Sequence, residues 1–269
     1  APGEPVELLL SLSPGEAAGE AELTITRLGG VLGVHRLALN GRKTLFTLPA
    51  ETPMPPEGAG LGVEAAISTA DGEIRCATAV PFGGNIVRYG FLSDFLPEDE
   101  QDVACLAAWH MTHVQFYDWS YRHDTLVPPT DEYEDMMGKR NSLPAVRAKV
   151  DACHARGMRA MAYGAVYAAS RSFRDAHADW GLYAAPDKPL CFIDVEGPWR
   201  EHLFSQYRSA MERVGFDGVH MDTYGYPKRS LGMDGRERDL ERSLPALIKD
   251  ADAALRAAGL TPHLIFNNV

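Results

Sequence analysis

The stretch Gly215-Phe-Asp-Gly-Val-His-Met-Asp-Thr-Tyr-Gly225 places two carboxylates, an imidazole and a phenol within eleven residues. Side chains alternate along a strand, so His220, Asp222 and Tyr224 share one face, and Val219, Met221 and Thr223 share the other. The second set suits packing against helices. A carboxylate flanked by His220 and Tyr224 is a poor core residue unless it is paired or working. Asp222 is therefore either a catalytic carboxylate or a buried one satisfied by its neighbours. Asp217, just before Gly218, stands where the chain turns into the strand, and a hydrogen-bonding turn role is expected for it. A second cluster, Gln115-Phe-Tyr-Asp-Trp-Ser-Tyr-Arg-His-Asp124, brings Tyr117, Asp118, Trp119, His123 and Asp124 together. Aromatic rings beside hydrogen-bonding groups suit a sugar, with its apolar faces and hydroxyl edges. The alternative is a loop packed under its own aromatics.

Other chemistries find less support. His123-Asp124 lacks a third ligand at metal spacing, and no metal is expected. Cys76, Cys105, Cys153 and Cys191 are scattered without a CxxC pair. Ser93 has no GxSxG elbow around it, and neither GxGxxG nor a P-loop occurs. A net charge of −11 disfavours nucleic acid as a partner. No apolar run is long enough to insert into a membrane. With 45% hydrophobic residues, the chain can build a sizeable core.

The elements that must position these residues fall into two regions. Residues 1–87 read as β. Ala21–Arg27 alternates cleanly, Asn40-Gly41 and Asp71-Gly72 are two-residue hairpin signals, and Pro53, Pro55 and Pro56 mark a loop. A small β-sandwich is expected there. Residues 88–269 alternate strand-like runs with amphipathic helices. Helices are expected from Glu98 to Trp109, after Ser142, from Pro198, and after a Ser243 cap. Polar and aromatic residues gather at the ends of the strand runs: Ser93-Asp94, Tyr117-Asp118-Trp119, Tyr163 and Tyr167, Asp194, and Asp222 with Tyr224. That suits the C-terminal face of a (β/α)8 barrel, although a doubly wound sheet obeys a similar rule. Five or six barrel strands are expected, depending on whether the Leu190–Val195 run is one.

Six blocks in order, RYGFLSDF, QFYDWSYRHD, ACHARGMRAMAYGAVYAA, DWGLY, PWREHLFSQY and GFDGVHMDTYGYPK, make the chain resemble glycoside hydrolase family 66. That family contains endo-dextranases and cycloisomaltooligosaccharide glucanotransferases. The resemblance implies an immunoglobulin-like domain over 1–87 and the N-terminal part of a (β/α)8 catalytic barrel over 88–269. It implies retaining action on the α-1,6 linkages of dextran or isomaltooligosaccharides, with Asp222 as nucleophile and no cofactor. A retaining glycosidase needs a second carboxyl about 5 Å away. The resemblance puts that acid/base glutamate on a later strand, beyond Val269. Glu196 is the nearest substitute within these residues, but no family motif points to it. Tyr117, Asp118, Trp119, His123, Asp124, Tyr163, Tyr167, His220, Tyr224 and Asn267 are the expected substrate contacts. Hydrolysis is the first expectation. Glucanotransfer is the second, and glucan binding without catalysis is the third, if these residues are the whole protein. The size of dextran implies a secreted or cell-surface location. The N-terminus Ala1-Pro-Gly-Glu4 has no basic n-region, so no signal peptide is read here.

Overall fold

The computed structural model describes residues 5–13, 19–56, 58–69, 72–83, 86–97, 101–185, 188–223 and 228–267. The chain forms two compact units, residues 1–87 and 88–269.

The first unit contains β1 (Glu7–Ser11), β2 (Glu20–Arg27), β3 (Gly30–Ala38), β4 (Lys43–Thr47), β5 (Gly60–Thr69) and β6 (Gly72–Pro81). An antiparallel sheet runs β3-β2-β5-β6, and β1 pairs with β4. The alternation in β2 buries Ala21, Leu23 and Ile25 on one face. Leu8 of β1 and Phe46 of β4 pack against Ile25, Leu61 and Val63 of the larger sheet. The Asn40-Gly41 signal marks a turn but not a hairpin. Its flanking strands β3 and β4 pair elsewhere, with β2 and β1, so the turn carries the chain from one sheet to the other. Gly41 supplies the left-handed φ of +94° that the corner needs. The β5–β6 connection is a hairpin, but Thr69 already pairs with Gly72, and its turn residues 70–71 lie outside the described residues.

The second unit begins with β7 (Tyr89–Leu92), α1 (Gln101–Ala108), β8 (His113–Phe116), β9 (Glu132–Glu134), β10 (Arg140–Ser142), α2 (Leu143–His154) and β11 (Arg159–Ala165). It continues through α3 (Arg171–Ala176), β12 (Gly181–Ala185), β13 (Lys188–Ile193), α4 (Trp199–Val214), β14 (Gly218–Asp222), β15 (Arg229–Gly232), β16 (Glu237–Asp239), α5 (Leu240–Ala257) and β17 (His263–Phe266). Five of these strands form one parallel sheet in the order β7-β8-β11-β14-β17. Each strand lies beside its predecessor, so the winding never reverses. A doubly wound sheet would reverse at a switch point.

Helices α2, α4 and α5 cover one face of this sheet with the stripes their spacing predicts. Val146, Val150 and Cys153 of α2 are buried, as are Leu203, Tyr207, Ala210 and Val214 of α4 and Leu247, Ala251 and Leu255 of α5. Val219 and Met221 of β14 meet that layer and are fully buried. Two sequence readings are decided. The Leu190–Val195 run does not join the parallel sheet; most of it lies in β13, which pairs antiparallel with β12. A short apolar run reads the same in either setting. Ser243 does not cap α5. The helix starts four residues earlier, at Leu240 behind Asp239, and the Ser243 hydroxyl lies 2.8 Å from the Asp239 carbonyl. The first helix is described over Gln101–Ala108, and its expected beginning at residues 98–100 lies outside the described residues.

Two excursions leave the parallel sheet after the C-terminal ends of β11 and β14. They meet in a four-stranded antiparallel sheet, β13-β12-β15-β16. At the other end, Asp217 gathers the strand entrances. Its Oδ2 accepts the Ala160 N–H at 2.8 Å and its carbonyl accepts the His263 N–H at 3.0 Å. His154 Nε2 also reaches Asp217 Oδ2 at 2.8 Å. The neighbouring Gly218 leaves no room for a side chain, because a Cβ there would overlap the His263 backbone. Gly218→Ala is therefore expected to destabilise the unit by about 2 kcal/mol or more, as a lowered urea midpoint, since backbone cannot step aside as a rotamer does.

Candidate active site

Pairing of β11 with β14 sets Tyr163 opposite His220 and Ala165 opposite Asp222. The face away from the helices thus carries Tyr163, His220 and Asp222 in neighbouring positions. Asp222 ends β14 and is half-buried. The Tyr163 hydroxyl donates to Asp222 Oδ2 at 2.8 Å. Burial, and then this hydrogen bond, push the Tyr163 hydroxyl well above the ordinary tyrosine range, so the phenol stays a donor.

His220 is buried, with Nδ1 2.6 Å from the Tyr89 hydroxyl. Burial lowers the His220 pKa against the opposing pull of Asp222. Burial also raises the Tyr89 hydroxyl. A neutral imidazole and a protonated phenol pair best with Tyr89 donating to Nδ1, which puts the ring proton on Nε2. His123 stands 6.2 Å from the Tyr163 ring and 6.3 Å from the Tyr167 ring, centroid to centroid. Burial lowers its pKa as well, and its buried Nδ1 has no partner among the described residues. Tyr117 meets Tyr163 edge-on at 5.0 Å and is 41% exposed, an open ring beside the carboxylate. Asp118 follows with a left-handed φ of +53°, unusual for a residue with a side chain. Its carboxyl is raised by burial, then by the charges of Asp135 and Asp222.

Other expected contacts are placed differently. Trp119 is fully buried, packs against Phe216 at 4.7 Å, and donates from Nε1 to the Tyr163 carbonyl at 3.2 Å. It offers no face to a sugar; it holds the strand that carries Tyr163. Asp124 is also buried, and its Oδ1 accepts the Ser170 N–H at 2.6 Å, tying its loop to the segment after β11. Asn267 Oδ1 accepts the Thr223 N–H at 3.3 Å, which steadies the backbone just past Asp222. Tyr224 lies outside the described residues. Glu196 is engaged elsewhere, accepting from the Ser243 hydroxyl and lying 3.6 Å from Arg238. Asp194 is buried against Arg238 at 2.8 Å. Among the described residues, no three His, Cys, Asp or Glu side chains group as a metal site. Sequence reading missed Tyr89, because its role depends on a strand 131 residues away.

The sequence profile of glycosyl hydrolase family 66 matches residues 1–269. The chain belongs to glycosyl hydrolase family 66. Two relatives, both cycloisomaltooligosaccharide glucanotransferases of Niallia circulans, are 27% identical over 209 residues and 26% identical over 211. These matches cover 68% and 67% of this chain but 22% of each relative, so the family 66 chain spans only part of their length. The crystal structure of a Paenibacillus sp. cycloisomaltooligosaccharide glucanotransferase, complexed with cycloisomaltoheptaose, has the same fold at a TM-score of 0.74. It is 21% identical, and the match covers 99% of this chain and 43% of that one.

The neutral histidines make a testable demand. Burial lowers the pKa of His123, His220, His113 and His263 from the ordinary 6.5. Below about pH 6.5 the unfolded chain therefore binds more protons than the folded one, and stability falls as pH falls. The urea midpoint is expected to drop between about pH 7.5 and 5.5, and His220→Gln to flatten that slope.

Proposed function

We propose that this family 66 chain carries the nucleophile of a retaining glycosidase acting on α-1,6-glucans. The observation that supports it most directly is the Asp222 carboxylate. It ends a central parallel strand, is held by the Tyr163 hydroxyl, and is bordered by histidines that burial keeps neutral. The five singly wound strands are read as part of a (β/α)8 barrel, whose active sites lie at the C-terminal ends of the strands. The first unit is read as its immunoglobulin-like partner domain. The substrate is dextran or an isomaltooligosaccharide, met by Tyr117, Asp118, His123, Tyr163, Tyr167, His220 and Tyr224. A secreted or cell-surface location follows from so large a polymer.

In the first step an Asp222 oxygen bonds to the anomeric carbon as the glycosidic C–O bond breaks. The acid/base carboxyl gives its proton to the leaving oxygen. Tyr163 aims the attacking carboxylate, while neutral imidazoles and phenols can hydrogen-bond sugar hydroxyls without adding charge. In the second step the acid/base group deprotonates the acceptor, which displaces Asp222 with net retention. The family resemblance implies a glutamate on a later strand for the acid/base role, and Glu196, which contacts Ser243 and Arg238, is not assigned it.

Water as acceptor gives endo-hydrolysis. The free end of the same glucan chain gives a cycloisomaltooligosaccharide. The second outcome is favoured by the names of both curated relatives and of the solved neighbour. Product analysis of the full-length protein on dextran separates them. Linear oligosaccharides are expected of a hydrolase, and exclusively cyclic products would replace that reading with glucanotransfer. Asp222→Gly is expected to abolish turnover, and unchanged cleavage by that variant would refute the nucleophile. Tyr163→Phe is expected to lower kcat about 10²-fold at little cost in KM, the scale of a misaimed reacting group.

A further inference from the structure

Tyr89 stands on β7 and His220 on β14, with β8 and β11 between them in the sheet. In a flat sheet three strand spacings would hold their backbones about 14 Å apart. Their side chains nevertheless meet, with the Tyr89 hydroxyl 2.6 Å from His220 Nδ1 and the two rings stacked at 5.5 Å. The contact crosses the sheet over the face that carries Asp222. The His220 ring lies in turn 6.5 Å from the Tyr163 ring at an angle of 22°, and the Tyr163 hydroxyl donates to Asp222 Oδ2 at 2.8 Å. Tyr89, His220, Tyr163 and Asp222 thus form one ordered series.

A neutral imidazole has two tautomers, and they offer a ligand opposite chemistry at Nε2. With the proton on Nε2 the ring donates there; with the proton on Nδ1 it accepts there. The Tyr89 hydroxyl has no hydrogen-bond partner other than Nδ1 among the described residues. Donating to Nδ1 satisfies both groups at once. Accepting from Nδ1 would leave the proton of a half-buried phenol without a partner. His220 Nε2 has no hydrogen bond among the described residues, and unlike His123 Nδ1 it is not sealed from solvent. The protons of Tyr89 and Tyr163 are both committed to protein acceptors, so the Nε2 proton is left to meet a ligand. We propose that Tyr89 is a positioning residue, which holds His220 in the Nε2–H tautomer as a donor to a hydroxyl of the glucosyl unit bound at Asp222. This inference rests on the glycosidase reading above. Tyr89 acts through the imidazole and touches no substrate in this role.

Neutron diffraction from deuterated crystals of the full-length protein locates the His220 deuteron without turnover. The deuteron is expected on Nε2, and a deuteron on Nδ1 overturns the proposal. Tyr89→Phe keeps the ring and removes the donor, and its kcat/KM on dextran is expected to fall about tenfold, the scale of one lost hydrogen bond. A tyrosine that served stability alone would lower the melting temperature and leave kcat/KM of the folded variant unchanged; that result also overturns the role. His220→Gln is the conservative background, because its amide can donate near the Nε2 position and has no tautomer to fix. There Tyr89→Phe is expected to cost about twofold or less in kcat/KM, and a second loss of about tenfold would show that Tyr89 acts independently of His220. If Tyr89→Phe does not fold, the deuteron in wild type decides. Full-length protein that leaves dextran uncut would refute the proposed reaction, while a deuteron on Nε2 would still show that Tyr89 sets the imidazole.

Discussion

Asp217 holds the register on which the face carrying Tyr163, His220 and Asp222 depends. One carboxylate oxygen receives the N–H at the entrance of β11, its own N–H returns to the same residue, and its carbonyl receives the N–H that starts β17. Three parallel strands are thereby aligned at their origin by one residue. A slip of one position in β14 would exchange its two faces, sending His220 and Asp222 into the helix layer and Val219 and Met221 into the open. The Tyr163–Asp222 hydrogen bond exists only in the aligned register, because Tyr163 stands opposite His220 and reaches one step onward along the next strand.

The electrostatics of the mouth follow from burial more than from charge pairing. Tyr89, Tyr163, His123 and His220 are each pushed towards their neutral form chiefly by loss of water. What they surround is one half-buried carboxylate. Neutral phenols and imidazoles thus border the carboxylate proposed to attack, and the Asp118 carboxyl, raised chiefly by burial, lies on the same side. That is a suitable environment for a positive centre that develops on a sugar only as the bond breaks.

Much of this was legible in local pattern. The period-two spacing of His220 and Asp222 identified their common face, and the 3.6-residue stripe of α4 identified its buried side, because both properties depend only on nearby residues. The ordered blocks pointed to the family. What pattern could not supply was the partner of each segment. Asn40-Gly41 has the composition of a hairpin turn, yet its strands pair with others. The aromatic loop after β8 was read as one sugar-facing cluster, whereas the fold sorts it. Tyr117 faces outward, Trp119 enters the core against Phe216, and Asp124 becomes a tether for Ser170.

The small antiparallel sheet beyond the C-terminal ends of the strands has a consequence for how such a site can change. Its strands come from two different connections, one after β11 and one after β14, and β12 pairs directly with β15. The Asp194–Arg238 ion pair crosses between the same two connections. Neither can be lengthened, shortened or exchanged alone without stripping an edge or stranding a buried charge in the other. The unit of inheritance around the proposed nucleophile is therefore a pair of loops, and remodelling of the cleft on this side has to alter both at once.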